Sequence, residues 1–260
     1  MYAQGEVSKT RGVIYVGTSG WQYDSWKEDF YEGAPKATWL ERFAAQFPVV
    51  EVNNSFYQLP KEGTFDRWRT QTPKGFLFAV KASRFITHIR RLRDCEDSVK
   101  LFWSRATRLA EKLGPILFQL PPNFPADAGR LREFLKLLPA EMRAAFEFRD
   151  DSWRTDDVLD ALDRAGAAWV LADRPGWRVP LFVTGGWSYI RFHQGRRAHP
   201  AYSRRKLRTW AARIAGFDAT DVFVFFNNDE MAAAPRDAET LSELLRDRGC
   251  RVAMPPGRPA

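Results

Sequence analysis

The chain has 260 residues, 45% hydrophobic and 28% charged, which supplies one large core without help from disulfides. Its two cysteines, Cys95 and Cys250, lie far apart with no CxxC spacing, which excludes a disulfide framework and a thiolate-built zinc or iron–sulfur centre. The formal net charge of +8 is spread along the chain, a balance that suits an anionic partner or a solvated arginine-rich surface.

No apolar run approaches the roughly 18 residues of a membrane span. The first twelve residues are polar and lack the apolar stretch of a signal peptide. Residues 1–12 and 255–260 are therefore expected to be loose tails around a single domain over 13–254, located in the cytoplasm.

Short runs rich in Val, Ile, Phe and Tyr then recur in order: 13–17, 49–53, 76–81, 115–120, 144–149, 167–173, 187–193 and 222–227. Such near-continuous apolar runs suit parallel strands buried on both faces. Between them lie amphipathic segments. In 96–113, Val99, Phe102, Ala106, Leu109 and Leu113 follow helical spacing, and Gly114-Pro115 stops the helix. Segments 127–138, 153–165 and 235–248 repeat the pattern, the last two ending at Gly166 and Gly249. One connection differs: between Asp173 and Trp187 the run RPGWRVPLFVTGG is too broken for a helix and reads as a long loop or lid. The alternation predicts an α/β fold, with eight strands closing into a single (β/α)8 TIM barrel rather than an open doubly wound sheet. The first strand leads to GTSGW, which is neither a GxGxxG nor a phosphate-binding loop.

Polar groups gather where the strands end. Strand two closes with Glu51 and Asn53, three with Lys81, four with Gln119, and five with Glu147 and Arg149. Strand six closes with Asp173, seven with Arg191 and His193, and eight with Asn227 and Asn228. Residues two apart share a face of a strand, so Glu51–Asn53, Glu147–Arg149 and Arg191–His193 point together. In a barrel this end carries the active site. Packing alone is the competing explanation, with Glu147–Arg149 or Glu51–Lys81 as ion pairs that close the barrel top. Trp21, Tyr57 and Trp153 follow strands closely enough to stack on a substrate or to cap the barrel, and His88 lies in the loop after strand three.

The strings VGTSGWQYDSWKEDFY, VEVNNSFYQLP, FAVKASRFITH, LGPILFQLPPNF, FEFRDDSW, YIRFHQ and FVFFNND occur in this order. Together they resemble the YecE-like family, also called domain of unknown function 72, over about Val13 to Arg248. The resemblance implies a TIM barrel and no assigned reaction. It carries over onto Trp21, Glu51, Asn53, Tyr57, Lys81, His88, Gln119, Glu147, Arg149, Trp153, Arg191, His193, Asn227 and Asn228. The strand-seven motif of other members often reads Arg-x-His-Gly, whereas His193 here is followed by Gln194 and then Gly195.

Three chemistries follow. The first is a hydrolase acting on a phosphodiester or other anionic substrate, with a divalent metal held by Glu51, Glu147, Asp173 and His193 and the anion held by Lys81, Arg149 and Arg191. Only three histidines occur, one of them His199 in a basic loop, so a multi-histidine centre is excluded. The second is metal-free acid–base chemistry on a sugar-like molecule, an isomerase or lyase using Glu51, Glu147 and either Lys81 or His193. The third is a binding module for nucleic acid or another anion along the basic stretch 203–216, against which stands the helical spacing of Leu207, Trp210, Ala211 and Ile214. Ser19 and Ser55 lack a Ser–His–Asp context. Glu147→Gln is expected to abolish activity with little loss of folding.

Overall fold

The computed structural model describes residues 10, 12–193 and 200–256. Both ends expected as tails, and the segment holding Gln194, Gly195 and His199, lie mostly or wholly outside these residues. Thr10 is described, and it is buried: its hydroxyl donates to Ile214 O at 2.6 Å.

Eight parallel strands close on themselves in sequence order, β1 pairing with β8. They are β1 Val13–Ser19, β2 Val49–Val52, β3 Leu77–Lys81, β4 Leu113–Gln119, β5 Ala144–Glu147, β6 Ala168–Asp173, β7 Ser188–Phe192 and β8 Asp221–Phe226. All eight expected runs are strands. Their C-terminal polar residues Asn53, Arg149, His193 and Asn227 fall just past the last paired position, where the backbone leaves the ladder.

The helices are α1 Trp39–Ala44, α2 Asn54–Tyr57, α3 Glu62–Gln71, α4 Glu96–Ala106, α5 Ala128–Lys136, α6 Asp156–Arg164, α7 Arg204–Ala215 and α8 Ala233–Arg246. The expected helix over 96–113 stops at Ala106 and tightens into a 3₁₀ stretch, Thr107–Lys112, in which Ala110 takes φ 50°. Gly114 and Pro115, expected to end the helix and open the strand, are the second and third residues of β4, where the pairing with β3 slips between Phe78 and Val80. A strand tolerates proline at such a bulge because no ladder hydrogen bond is lost there.

The alternation of each strand divides the interior into two layers. Val49, Ala79, Leu117, Val170, Tyr189 and Phe225 point into the barrel and fill it. The opposite faces pack against the helices, where Phe78, Phe118, Phe146 and Phe192 meet aromatic partners. Residues 174–187 form the irregular connection expected between β6 and β7. Instead of arching over the barrel as a lid, its second half takes the place of a helix on the outside of β6. Phe182 meets Trp169 edge-on at 5.4 Å, and the Thr184 hydroxyl joins Trp169 N to Ala167 O, both at 2.8 Å. Gly185 is required there: its φ is +64°, and a Cβ would lie 2.5 Å from the Gly166 carbonyl carbon.

Candidate functional site

The inward parity of the strands brings one ring of polar side chains to the C-terminal mouth. At its centre is Arg191, 2% exposed, the fourth residue of β7. Its Nη2 donates to Glu51 Oε1 at 2.8 Å and its Nη1 to Glu147 Oε2 at 2.6 Å. Both carboxylates are fully buried. A buried charge is tolerated only when paired and hydrogen-bonded, and here every carboxylate oxygen is engaged. Glu51 Oε1 also accepts from Ser19 Oγ and from Asn53 Nδ2 at 3.2 Å, and Oε2 accepts from the Tyr189 hydroxyl at 2.6 Å. Glu147 Oε1 accepts from Gln119 Nε2 at 2.9 Å and Arg149 Nε at 3.0 Å. The pairings follow the sheet register, which sets Ser19 beside Glu51 and Gln119 beside Glu147.

The electrostatics follow from this arrangement. Burial pushes the Glu51 and Glu147 carboxyls up, but the Arg191 guanidinium and the donated hydrogen bonds outweigh it. Both are held below the ordinary carboxylate range, Glu147 well below. The buried Tyr189 phenol is raised well above its ordinary value by desolvation and the Glu51 charge, so it stays a donor.

Lys81 stands apart from these pairs. Its side chain is buried, its Nζ donates to Gln119 Oε1 at 2.9 Å, and it lies 4.1 Å from the centre of the Phe56 ring. Among the described residues no carboxylate comes within ion-pairing distance of it, so the expected Glu51–Lys81 pair is not formed. Desolvation and the Arg191 and Arg149 charges lower its pKa to about 8, with Glu147 and Glu51 pulling partly the other way. His88, turned toward the mouth against Phe56 at 4.9 Å, is lowered to about 4 by burial and by the charges of Lys81, Arg149, Arg84 and Arg91. His193 is lowered chiefly by burial, although Glu147 opposes this. Its Nε2 stands 3.4 Å from Glu147 Oε1 without a hydrogen bond, and its Nδ1 faces Asn227 Nδ2 at 3.4 Å. Burial is the first cause of all three depressions, and the Arg149 charge adds to each.

Most of the expected site residues converge: Glu51, Asn53, Lys81, Gln119, Glu147, Arg149, Arg191, His193 and Asn227 form the ring, with His88 beside it. Tyr57 stands at the rim, 74% exposed. Others are corrected. Trp21 is buried and meets Trp68 of α3 edge-on at 5.5 Å. Trp153 is fully buried, donates to Phe124 O at 2.6 Å and stacks on Phe148. Both tryptophans are packing residues with no face left for a substrate. Asn228 is turned outward and donates to Pro200 O and Asp237 Oδ2.

Asp173 is also outward-facing, because Ala168 and Val170 set the inward parity of β6. Its carboxylate anchors α7, accepting from Lys206 Nζ and Trp210 Nε1, both at 2.6 Å. The four groups expected to hold a metal therefore do not converge, and no three His, Cys, Asp or Glu side chains do so among the described residues. Between Glu51 and Glu147 stands a guanidinium, not a gap. The donor set does not fit a divalent ion.

Ser19 and Tyr189 are functional neighbours that sequence reasoning missed. The signal was available: Ser19 shares the face of Tyr15, and Tyr189 lies two residues before Arg191. On α7, Leu207, Trp210, Ala211 and Ile214 are buried as their spacing predicts, leaving Arg204, Arg205 and Arg208 on the solvent side. No helix among the described residues is long and apolar enough to cross a membrane.

Residues 15–260 match the family described as protein of unknown function DUF72. The chain is 28% identical to the UPF0759 protein YecE of Escherichia coli (strain K12), over 95% of this chain and 98% of that one. It is 25% identical to the UPF0759 protein YunF of Bacillus subtilis (strain 168), over 90% and 95%. Among solved structures it is similar to the DUF72 family protein TM1631 of Thermotoga maritima MSB8, with a TM-score of 0.81 and 26% identity over 90% of this chain and 99% of that one. A barrel of this topology with this match along nearly its whole length places the chain in the DUF72 family.

Proposed function

We propose that the barrel mouth is the active centre of a metal-free enzyme that moves a proton on a small anionic substrate. Lys81 is the proton carrier. The observation that supports this most is the Lys81 amine, buried on a neutral amide with no carboxylate partner among the described residues, so that burial lowers its pKa to about 8. A general base works best when its pKa lies near the working pH. The two carboxylates that sequence reasoning favoured are poorer bases, because both are locked on Arg191 and lowered below the ordinary carboxylate range. They keep the Arg191 and Gln119 side chains in place.

The anionic character of the substrate follows from the charges around the mouth. Arg149 is part-exposed beside Glu147, and Arg174 reaches Arg149 O at 3.4 Å. Beyond Arg174 opens a cavity of about 880 Å³ whose lining adds Arg154, Arg178, Arg213 and the Lys206–Asp173 ion pair. A concave positive surface concentrates anions. A metal-assisted hydrolase would need donors that converge, which this ring lacks.

Solvent deuterium exchange tests the reading. Oxaloacetate, dihydroxyacetone phosphate and ribulose 5-phosphate are incubated with the protein in D₂O and followed by proton NMR. Wild type is expected to wash deuterium into at least one of them, and Lys81→Met to slow this by about 100-fold or more, the usual worth of a positioned base. Exchange of none, or equal exchange by Lys81→Met, overturns it. Hydrolysis of bis(p-nitrophenyl) phosphate that requires added Mn²⁺ would instead support the hydrolase.

A further inference from the structure

Among the described residues two lysines, Lys81 and Lys112, are buried, and their surroundings assign them opposite fates. Lys112 Nζ donates to Arg69 O at 2.6 Å, to Thr72 O and to Thr72 Oγ1 at 3.1 Å. All three of its protons are spent on acceptors, just before the N-terminal end of β4 and away from the mouth. Lys81 Nζ spends one, on Gln119 Oε1. Gln119 cannot turn its amide round to withdraw that oxygen, because its Nε2 is held by Glu147 Oε1 at 2.9 Å. Glu147 is in turn fixed by Arg191. The chain of contacts thus presents a neutral acceptor to the lysine and keeps the carboxylates off it. An ammonium next to a carboxylate would stay protonated. One buried beside a neutral amide and among arginines gives up its proton more readily.

We propose that Lys81 is a nucleophilic amine that captures an aldehyde or ketone carried by a small anion, forming an imine at the barrel mouth. This rests on the reading of the mouth as the active centre, replaces the direct base role of Lys81 by covalent activation of the substrate, and names its substrate class: a carbonyl compound bearing a carboxylate or a phosphate. The lysine first loses one proton to solvent. Its lone pair attacks the carbonyl carbon, the C–N bond forms, and the oxygen takes up a proton to give a carbinolamine. The hydroxyl then leaves with a second proton as water. In sum, R–NH₃⁺ and O=CR′R″ give R–NH⁺=CR′R″ and H₂O, with no oxidant or reductant. The single positive charge at this position is the same before and after, so the balance with Glu51, Glu147, Arg149 and Arg191 is preserved. The remaining N–H keeps its acceptor on Gln119. The iminium draws electrons from the neighbouring carbon, which is how such an adduct eases loss of a proton there. Desolvation beside other cations is an established way to activate a lysine for this chemistry.

The test is reductive trapping. The full chain is incubated separately with pyruvate, glyoxylate and dihydroxyacetone phosphate, then reduced with sodium borohydride and examined by intact mass and peptide mapping. The expected result is an adduct of one reduced carbonyl unit on Lys81, at least 10-fold above any other lysine and strongest near pH 8. Inorganic phosphate should compete with it. Lys81→Arg, which keeps the charge, and Lys81→Met should both lose the adduct while retaining the circular dichroism of the wild type. Labelling spread over surface lysines, or unchanged in Lys81→Arg, overturns the proposal. No adduct, with deuterium exchange that still depends on Lys81, overturns the imine and leaves proton transfer standing. An adduct on Lys81 without any exchange supports the imine and removes the proton-transfer reading.

Discussion

Replacing Glu147 by glutamine perturbs a buried carboxylate held by three donors. The carboxylate is fully buried and receives Arg191 at 2.6 Å, Gln119 at 2.9 Å and Arg149 at 3.0 Å. Breaking a buried ion pair by removing one partner costs about 3–5 kcal/mol. Glutamine keeps one acceptor oxygen, and Arg191 keeps Glu51, which sets the expectation near the lower end, about 3 kcal/mol. At about 2–4 °C per kcal/mol for a domain of this size, Tm should fall by about 6–12 °C. This revises the sequence-based expectation that the substitution spares folding. Calorimetry of Glu147→Gln, Arg191→Met and the double variant provides the assay. The double variant should be more stable than the sum of the singles implies, by about 1 kcal/mol or more, because it no longer strands one charge. A Tm for Glu147→Gln within about 2 °C of wild type, or strict additivity, would refute the coupling.

His88 predicts an acid-side loss of stability. Its folded pKa, about 4, lies below the ordinary 6.5, so the unfolded chain takes up the proton first. The His88 contribution is therefore full above about pH 6.5 and declines as pH falls toward 4; below the ordinary carboxylate value the unfolded chain also takes up protons that the lowered Glu51 and Glu147 refuse, which adds to the loss. Urea midpoints at pH 7.5 and pH 5 should differ less in His88→Gln than in wild type; an unchanged difference would discount the residue. Asp173→Asn should lower Tm by weakening the attachment of α7 through Lys206 and Trp210, and added Mn²⁺ should stabilise neither variant nor wild type. Stabilisation of wild type alone by Mn²⁺ would return Asp173 to a metal site.

The barrel was legible because parallel strands buried on both faces read as continuous apolar runs, and because helices between them repeat at 3.6 residues. The mouth was legible for a related reason: a charge at the end of an apolar run has little structural excuse. What the sequence could not supply was parity. Asp173 and Glu147 look alike as acidic strand ends, yet one falls on the inward face and the other on the face toward the helices. Trp21 and Trp153 look like exposed platforms after strands, but the chain turns back at each and buries them. Nor does the sequence say which cation pairs with which carboxylate. Arg191 reaches both Glu51 and Glu147 because the closed barrel sets β7 across the interior from β2 and β5, and that leaves Lys81 without a counter-ion.

The state of the Lys81 amine is the point on which the account turns. Protein labelled with ¹⁵N-lysine, with the Lys81 Nζ resonance assigned by its loss in Lys81→Arg, allows its titration to be followed by NMR from pH 6 to 11. The account predicts a midpoint near 8, set first by burial and then by Arg191 and Arg149 against Glu147 and Glu51. A midpoint near the ordinary lysine value of about 10.4 would contradict it, because the amine would then be fully protonated at neutral pH and unfit for either proton transfer or imine formation.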